Sequence, residues 1–226
     1  MRPNSPIKLN LGCGPFGIEG WTNYDWGVLP LLSKLPWMRR ALIGLGLLSK
    51  EYDAAWPSLK LVDIRKKLPL ANETVQCIYC SHVLEHLERW EALHVLQESH
   101  RVLVRGGCVR VVVPNMEKLF EQYVQARQQP IDKKKVTRPA LEACRSMWGQ
   151  ATDIKPSNWI DRLKRSFIRG HRWAYDDLEL EILLREAGFE PVERREFRMG
   201  AVPDLDRLDL AEHASSSLYV EAAKPD

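Results

Sequence analysis

The chain has 226 residues, 45% hydrophobic and 28% charged, with a formal net charge of +3. That suits one globular domain with insertions, large enough to bury most of its apolar surface. The slight excess of base is too weak to argue for nucleic acid, and the longest apolar run, Ala41–Leu48 (ALIGLGLL), falls well short of the about 20 residues of a membrane span.

In chain order, Ile7–Leu11 (IKLNL) reads as a first strand running into the turn Gly12-Cys13-Gly14-Pro15-Phe16-Gly17. Trp21–Tyr24 reads as a second strand ending at Asp25, and Leu59–Val62 as a third ending at Asp63. Between them, Trp26–Trp56 is an irregular apolar and basic stretch. Val75–Tyr79 is a fourth strand ending near Ser81 and His82. A helix follows, with Leu84, Leu87, Trp90 and Leu93 or His94 at helical spacing, and Gly106-Gly107 is expected to end it. Cys108–Val113 is a fifth strand, stopped by Pro114. After a mixed, polar and basic region, Asp176 is placed to cap a helix with Glu179 three residues on. Leu180, Leu183, Leu184 and Ala187 form its buried stripe and Gly188 its stop. Pro191–Phe197 and Leu218–Ala222 are the last two strands. Strands alternating with helices predict an α/β fold with a doubly wound, Rossmann-like sheet of seven strands, mostly parallel.

The five cysteines are odd in number, so a disulfide framework is not expected. Cys77 and Cys80 lie three apart on a strand, on opposite faces, and would not share a metal. With no apolar segment of signal-peptide type in MRPNSPIKLNLG, the cysteines are read as reduced and the protein as cytoplasmic.

Gly12, Gly14 and Gly17 match G-x-G-x-x-G directly after a strand. Two ligand classes fit such a loop. A nicotinamide cofactor needs a long helix after the glycines, to face its pyrophosphate, and an acid about 20 residues on. Here Asp25 follows Gly12 by only 13 positions, and only Ile18, Glu19 and Gly20 separate the last glycine from the second strand. A ligand with ribose hydroxyls and no phosphate, such as S-adenosylmethionine, fits better. Asp25 could accept from both hydroxyls and Asp63 from an adenine amino group.

Taken together, LNLGCGPFGIEGWTNYD, LVDI, CIYCSHVLEHL and VLVRGGCVRVVVP resemble the class I S-adenosylmethionine-dependent methyltransferases, and most closely the methyltransferase type 11 group, including members that act on bacterial glycans. The resemblance covers Ile7–Pro114 and resumes at Gly170–Phe189 and at SLYVEA. It implies that Gly12, Cys13 and Gly14 line the methionine part of the cofactor, that Asp25 holds the ribose and Asp63 the adenine, and that Ser81 and His82 line the floor beside the sulfonium. It also implies that the last strand runs antiparallel to the rest. The whole of residues 1–226 is then one methyltransferase domain, with insertions at 26–58 and 115–170 as lid and acceptor pocket.

The string His82-x-x-Glu85-His86 also matches H-x-x-E-H, a zinc hydrolase signature. That site needs both histidines on one face of a continuous helix, whereas His82 falls at a strand-to-helix junction. No metal is therefore expected, and zinc hydrolysis and nicotinamide-dependent oxidoreduction stand as the rival readings. The expected reaction is O-methylation of a small-molecule or glycan acceptor, with His82 and His171 as candidate bases. The basic cluster Arg162, Lys164, Arg165, Arg169, His171 and Arg172 suggests an anionic or lipid-linked acceptor, with His171 and its arginine neighbours facing the pocket. Residues 35–50 mix aromatic, apolar and basic side chains, the composition of a buried lid or of a peripheral contact with the inner membrane face.

Overall fold

A computed structural model describes residues 7–48, 50–53, 56–128, 139–148 and 170–226. Seven strands, β1 (Ile7–Leu11), β2 (Thr22–Asp25), β3 (Leu59–Leu61), β4 (Val75–Ser81), β5 (Leu103–Pro114), β6 (Val192–Arg195) and β7 (Ser217–Ala223), form one sheet in the order β3-β2-β1-β4-β5-β7-β6. The strands from β3 across to β5 pair in parallel, and β7 is antiparallel to both β5 and β6. The last strand therefore enters between two strands already laid down and reverses the direction, as the resemblance implies.

Alternation along the central strands sends side chains to two cores. Leu9, Leu11, Ile78, Cys80, Val109 and Val111 face one side. There they meet Ala92, Val95 and Leu96 of α3 (Arg89–Val102) and Leu180, Leu183 and Leu184 of α6 (Asp177–Glu186). Cys77, Tyr79 and Val112 face the other side and meet Trp21, Tyr219, Val202 and two leucines of α7 (Leu205–Leu208). Cys77 and Cys80 thus lie in different cores, and all five cysteines are free. The N-cap of α6 forms as expected: Asp176 Oδ1 accepts from Glu179 N at 2.8 Å, and Gly188 takes a φ of +97° just past its end.

The structure departs from the expected elements in three places. Leu84–His86 is a separate 3-10 turn, and α3 begins only at Arg89, where Glu88 and Glu91 close a capping box. The stripe consequently shifts: Trp90 is 70% exposed, and Ala92, Val95, Leu96 and Val102 are buried in its place. Gly106-Gly107 do not end α3, which stops at Val102. They lie inside β5, where Gly106 has a φ of +68° and the pairing with β4 shifts register. The stretch after β2 also contains two helices, α1 (Val28–Ser33) and α2 (Pro36–Gly44), the second opening on a proline. Beyond β5 come α4 (Met116–Gln128) and α5 (Pro139–Trp148).

Candidate active site

The carboxyl ends of β1, β2 and β4 meet at one rim, where ligands sit in open α/β sheets. Gly12 has a φ of +66°, and a Cβ there would stand 2.3 Å from Val83 Cγ2. The loop therefore lies hard against the residue following His82. Gly14 has a φ of +51° and open space where its Cβ would point, room that a ligand close to the backbone can use. Gly17 has an ordinary extended φ but is needed for space, because a Cβ would lie 2.7 Å from Asn23 Oδ1.

Asp25, at the end of β2, ties this loop down. Its Oδ2 accepts from Gly14 N and its Oδ1 from Trp26 N, both at 2.6 Å. Burial raises its pKa, and those two backbone donors oppose the rise. Asp63 lies just beyond β3, its carboxylate gripped by the Arg65 guanidinium through two bonds of 2.9 Å, and that pairing lowers its pKa. The Cys13 thiol is pushed up to about 12, chiefly by burial, which leaves it protonated. The fit to S-adenosylmethionine rests on the open space before Gly14 and on the partly exposed carboxylate of Asp25 beside it.

His82 caps β4 with a φ of +53°, uncommon for a residue with a Cβ. Its Nδ1 lies 3.0 Å from Glu85 Oε1 and its Nε2 3.0 Å from Ser217 Oγ. The His213 ring stacks on it at a centroid distance of 4.0 Å, and burial lowers the pKa of His213. Because His82 is left-handed and Leu84–His86 is a 3-10 turn, His82 and His86 do not share a helical face, and the H-x-x-E-H zinc geometry does not form.

A second segment approaches the same rim. Tyr175 bridges Asn115 at the end of β5, and Arg172 N and Trp173 N donate to Glu85 O at 2.7 and 3.2 Å. His171 is thereby set edge-on to His86, centroids 4.9 Å apart, with its Nδ1 3.0 Å from Met147 O of α5. Burial lowers the His171 pKa. A cavity of about 260 Å³ opens between these parts, lined among others by His82, Glu85, Asn115, His171, Trp173 and Tyr175, with α4 and α5 contributing Leu119 and Met147.

The structure thus brings Gly12, Gly14, Asp25, Ser81 and His82 to one rim, and His82 and His171 line one cavity. Arg172 is not among the cavity's lining residues and pairs with Glu88. Arg162, Lys164, Arg165 and Arg169 lie outside the described residues. Glu85, Asn115, Ser217 and His213 had no motif to announce them. Only the H-x-x-E-H string contained Glu85, and it pointed to other chemistry.

A family model described as a methyltransferase domain matches residues 46–111. No curated protein matches the chain. Among solved structures, a SAM-dependent methyltransferase from Archaeoglobus fulgidus is similar at a TM-score of 0.50 and 12% identity, over 98% of this chain and 87% of that one. The apo form of the S-adenosylmethionine-dependent methyltransferase SibL is similar at 0.49 and 14%, over 99% of this chain and 51% of its own. Human N-acetylserotonin methyltransferase in complex with SAM is similar at 0.48 and 12%, over 98% and 48%. The chain therefore spans about half the length of the last two proteins, and the likeness to the first is one of fold. The methyltransferase-domain match thus runs from the turn after α2 into β5, within a sheet of this strand order that carries its glycine loop and acid at the rim.

Proposed function

We propose that the protein transfers a methyl group to an oxygen of a small-molecule or glycan acceptor held in the cavity between His82 and His171. The observation that supports this reading is the position of His82. It lines that cavity, and its neighbour Val83 packs on Gly12 of the glycine loop, so two adjacent residues border the two compartments. Gly12, Cys13 and Gly14 would border the methionine part, Asp25 the ribose and Asp63 the adenine. When bound, the cofactor supplies an electrophilic methyl on a sulfonium.

The chain's own task is then to align an acceptor oxygen and take its proton. His82 would take it at Nε2, the ring nitrogen turned away from Glu85. In this structure Nε2 faces Ser217 Oγ, which an acceptor hydroxyl would displace. His171 lines the same cavity and would border the acceptor there. An anionic or lipid-linked acceptor would draw on the basic residues at 162–169. We read α1 and α2 as a lid over the rim; the alternative role, peripheral contact with a membrane, is tested below. No helix among the described residues is long and apolar enough to cross a membrane.

The test is methyl transfer from labelled S-adenosylmethionine into a panel of sugars, nucleotide sugars and lipid-linked glycans. Transfer to oxygen is expected, and His82→Ala should lower kcat about a hundredfold, the usual contribution of a positioned base. Transfer to nitrogen or carbon, or an unaffected His82→Ala enzyme, would overturn the proposed chemistry.

A further inference from the structure

Glu85, His86 and His171 each offer one ligand atom, and these atoms lie within 4.8 Å of one another. The first two come from the turn after β4, and the third arrives on the segment whose amides bond to Glu85 O.

Three features set this cluster apart from an ordinary packed patch. First, Glu85 is 1% exposed, and both carboxylate oxygens lack a hydrogen-bond partner among the described residues. His82 Nδ1 comes within 3.0 Å of Oε1 but without hydrogen-bond alignment. A buried carboxylate without hydrogen-bond donors is strongly unfavourable, and a bound cation would compensate it. Second, the two histidines are already oriented. His86 Nδ1 faces Gly170 O at 3.4 Å and His171 Nδ1 faces Met147 O at 3.0 Å. An imidazole that donates through Nδ1 keeps its lone pair on Nε2, the outer-shell arrangement usual for metal-ligating histidine. Third, Glu85 and His171 line the cavity. Two histidines and one glutamate beside an open position form a donor set of catalytic zinc sites, not of closed structural ones.

We propose that Glu85, His86 and His171 bind a divalent transition-metal ion, zinc in the first instance, with its open position toward the cavity. Tetrahedral donors about 2.0–2.1 Å from zinc stand roughly 3.4 Å apart, so separations of up to 4.8 Å close by up to about 1.4 Å on binding. His82 is not a ligand, which is why the argument against the H-x-x-E-H helix does not reach this site. In the proposed function, and resting on that reading, the ion would hold an acceptor oxygen and weaken its hold on the proton.

The test uses the full chain stripped with a chelator. Titration with zinc is expected to show one saturable site per chain, and cobalt in its place should give visible absorption of tetrahedral intensity. His171→Ala should weaken zinc at least tenfold and abolish the cobalt bands, and Glu85→Gln should do the same, with circular dichroism reporting the fold of each. If Glu85→Gln does not fold, His171→Ala and His86→Ala decide. No saturable zinc, or zinc and cobalt signals unchanged in His171→Ala and His86→Ala, overturns the site. S-adenosylmethionine titrated into the same stripped protein reports the methyltransferase reading separately, so the two can fail independently.

Discussion

Asp25 shows how much one side chain carries at this rim. Its two oxygens hold the backbone of Gly14 and Trp26, and the same carboxylate is proposed to receive the ribose hydroxyls. Losing a charged hydrogen-bond acceptor costs about 1.5–3 kcal/mol. Asp25→Ala should accordingly weaken S-adenosylmethionine binding roughly tenfold or more while the fold persists, as calorimetry and circular dichroism would report. The raised pKa adds a sign. Hydroxyls donate to the ionised form, so cofactor affinity should fall on acidification at a higher pH than an unperturbed aspartate, near 3.9, would give. Asp25→Asn should remove that dependence. The stability linkage runs the other way: a carboxyl whose folded pKa is raised stabilises the fold while protonated, below its unfolded pKa, and that contribution is lost as pH rises through the folded pKa. A binding profile identical in Asp25→Asn and wild type would take Asp25 out of the site.

Among the elements, α1 and α2 bury little beyond Pro30, Leu32 and Arg39. Trp37 is 70% exposed, and Trp26, Leu31 and Leu45 are also open to solvent. Lys34 Nζ donates to Leu59 O at 2.6 Å and pins the junction of the two helices to the edge strand β3. A lid predicts that the paired change Trp37→Ser and Leu45→Ser raises the acceptor KM several-fold with little effect on cofactor binding. It also predicts that the wild-type protein stays in the supernatant when sedimented with anionic phospholipid vesicles. Vesicle binding that the paired change abolishes would replace the lid with an interfacial role. Local signals served well where an element is defined by its own neighbours: the Asp176 cap, the leucine stripe of α6 and the run Ile7–Leu11 all form where the residues place them. They failed at Trp90, because a 3-10 turn inserted before α3 resets the helical phase and spacing alone does not reveal the reset.

Across the whole molecule, the C-terminal strands are locked to the centre of the sheet by charge as well as by pairing. Arg110 of β5 is 0% exposed. It bonds Asp209 at 2.7 Å, Glu221 of β7 at 3.2 Å, and the carbonyls of Met199 and Glu196. Removing one member of a buried ion network leaves the others uncompensated, at a cost of about 3–5 kcal/mol. Arg110→Ala should therefore lose stability by about that much in urea denaturation, whereas Arg185→Ala, which breaks solvent-screened pairs to Glu181 and Glu190, should change it far less. Equal losses from the two would show that the buried network is not what holds β7 in place.

By itself the sequence determined the seven strands, the glycine turn after the first of them, and the acids at the ends of the second and third. Each of these is written in residues adjacent along the chain: alternation of period two, a run of glycines, an acid that closes a strand. Through its resemblance it also indicated the class of cofactor. Only the tertiary structure decided that Glu85 lies buried without a hydrogen-bond partner among the described residues, that His171 comes to His86, and that His82 meets Ser217 and His213. Those contacts join the turn after β4 to segments that follow β5. Periodicity states which side of its own element a residue faces, whereas the element it meets there is set by non-local pairings such as the Asn115–Tyr175 bridge.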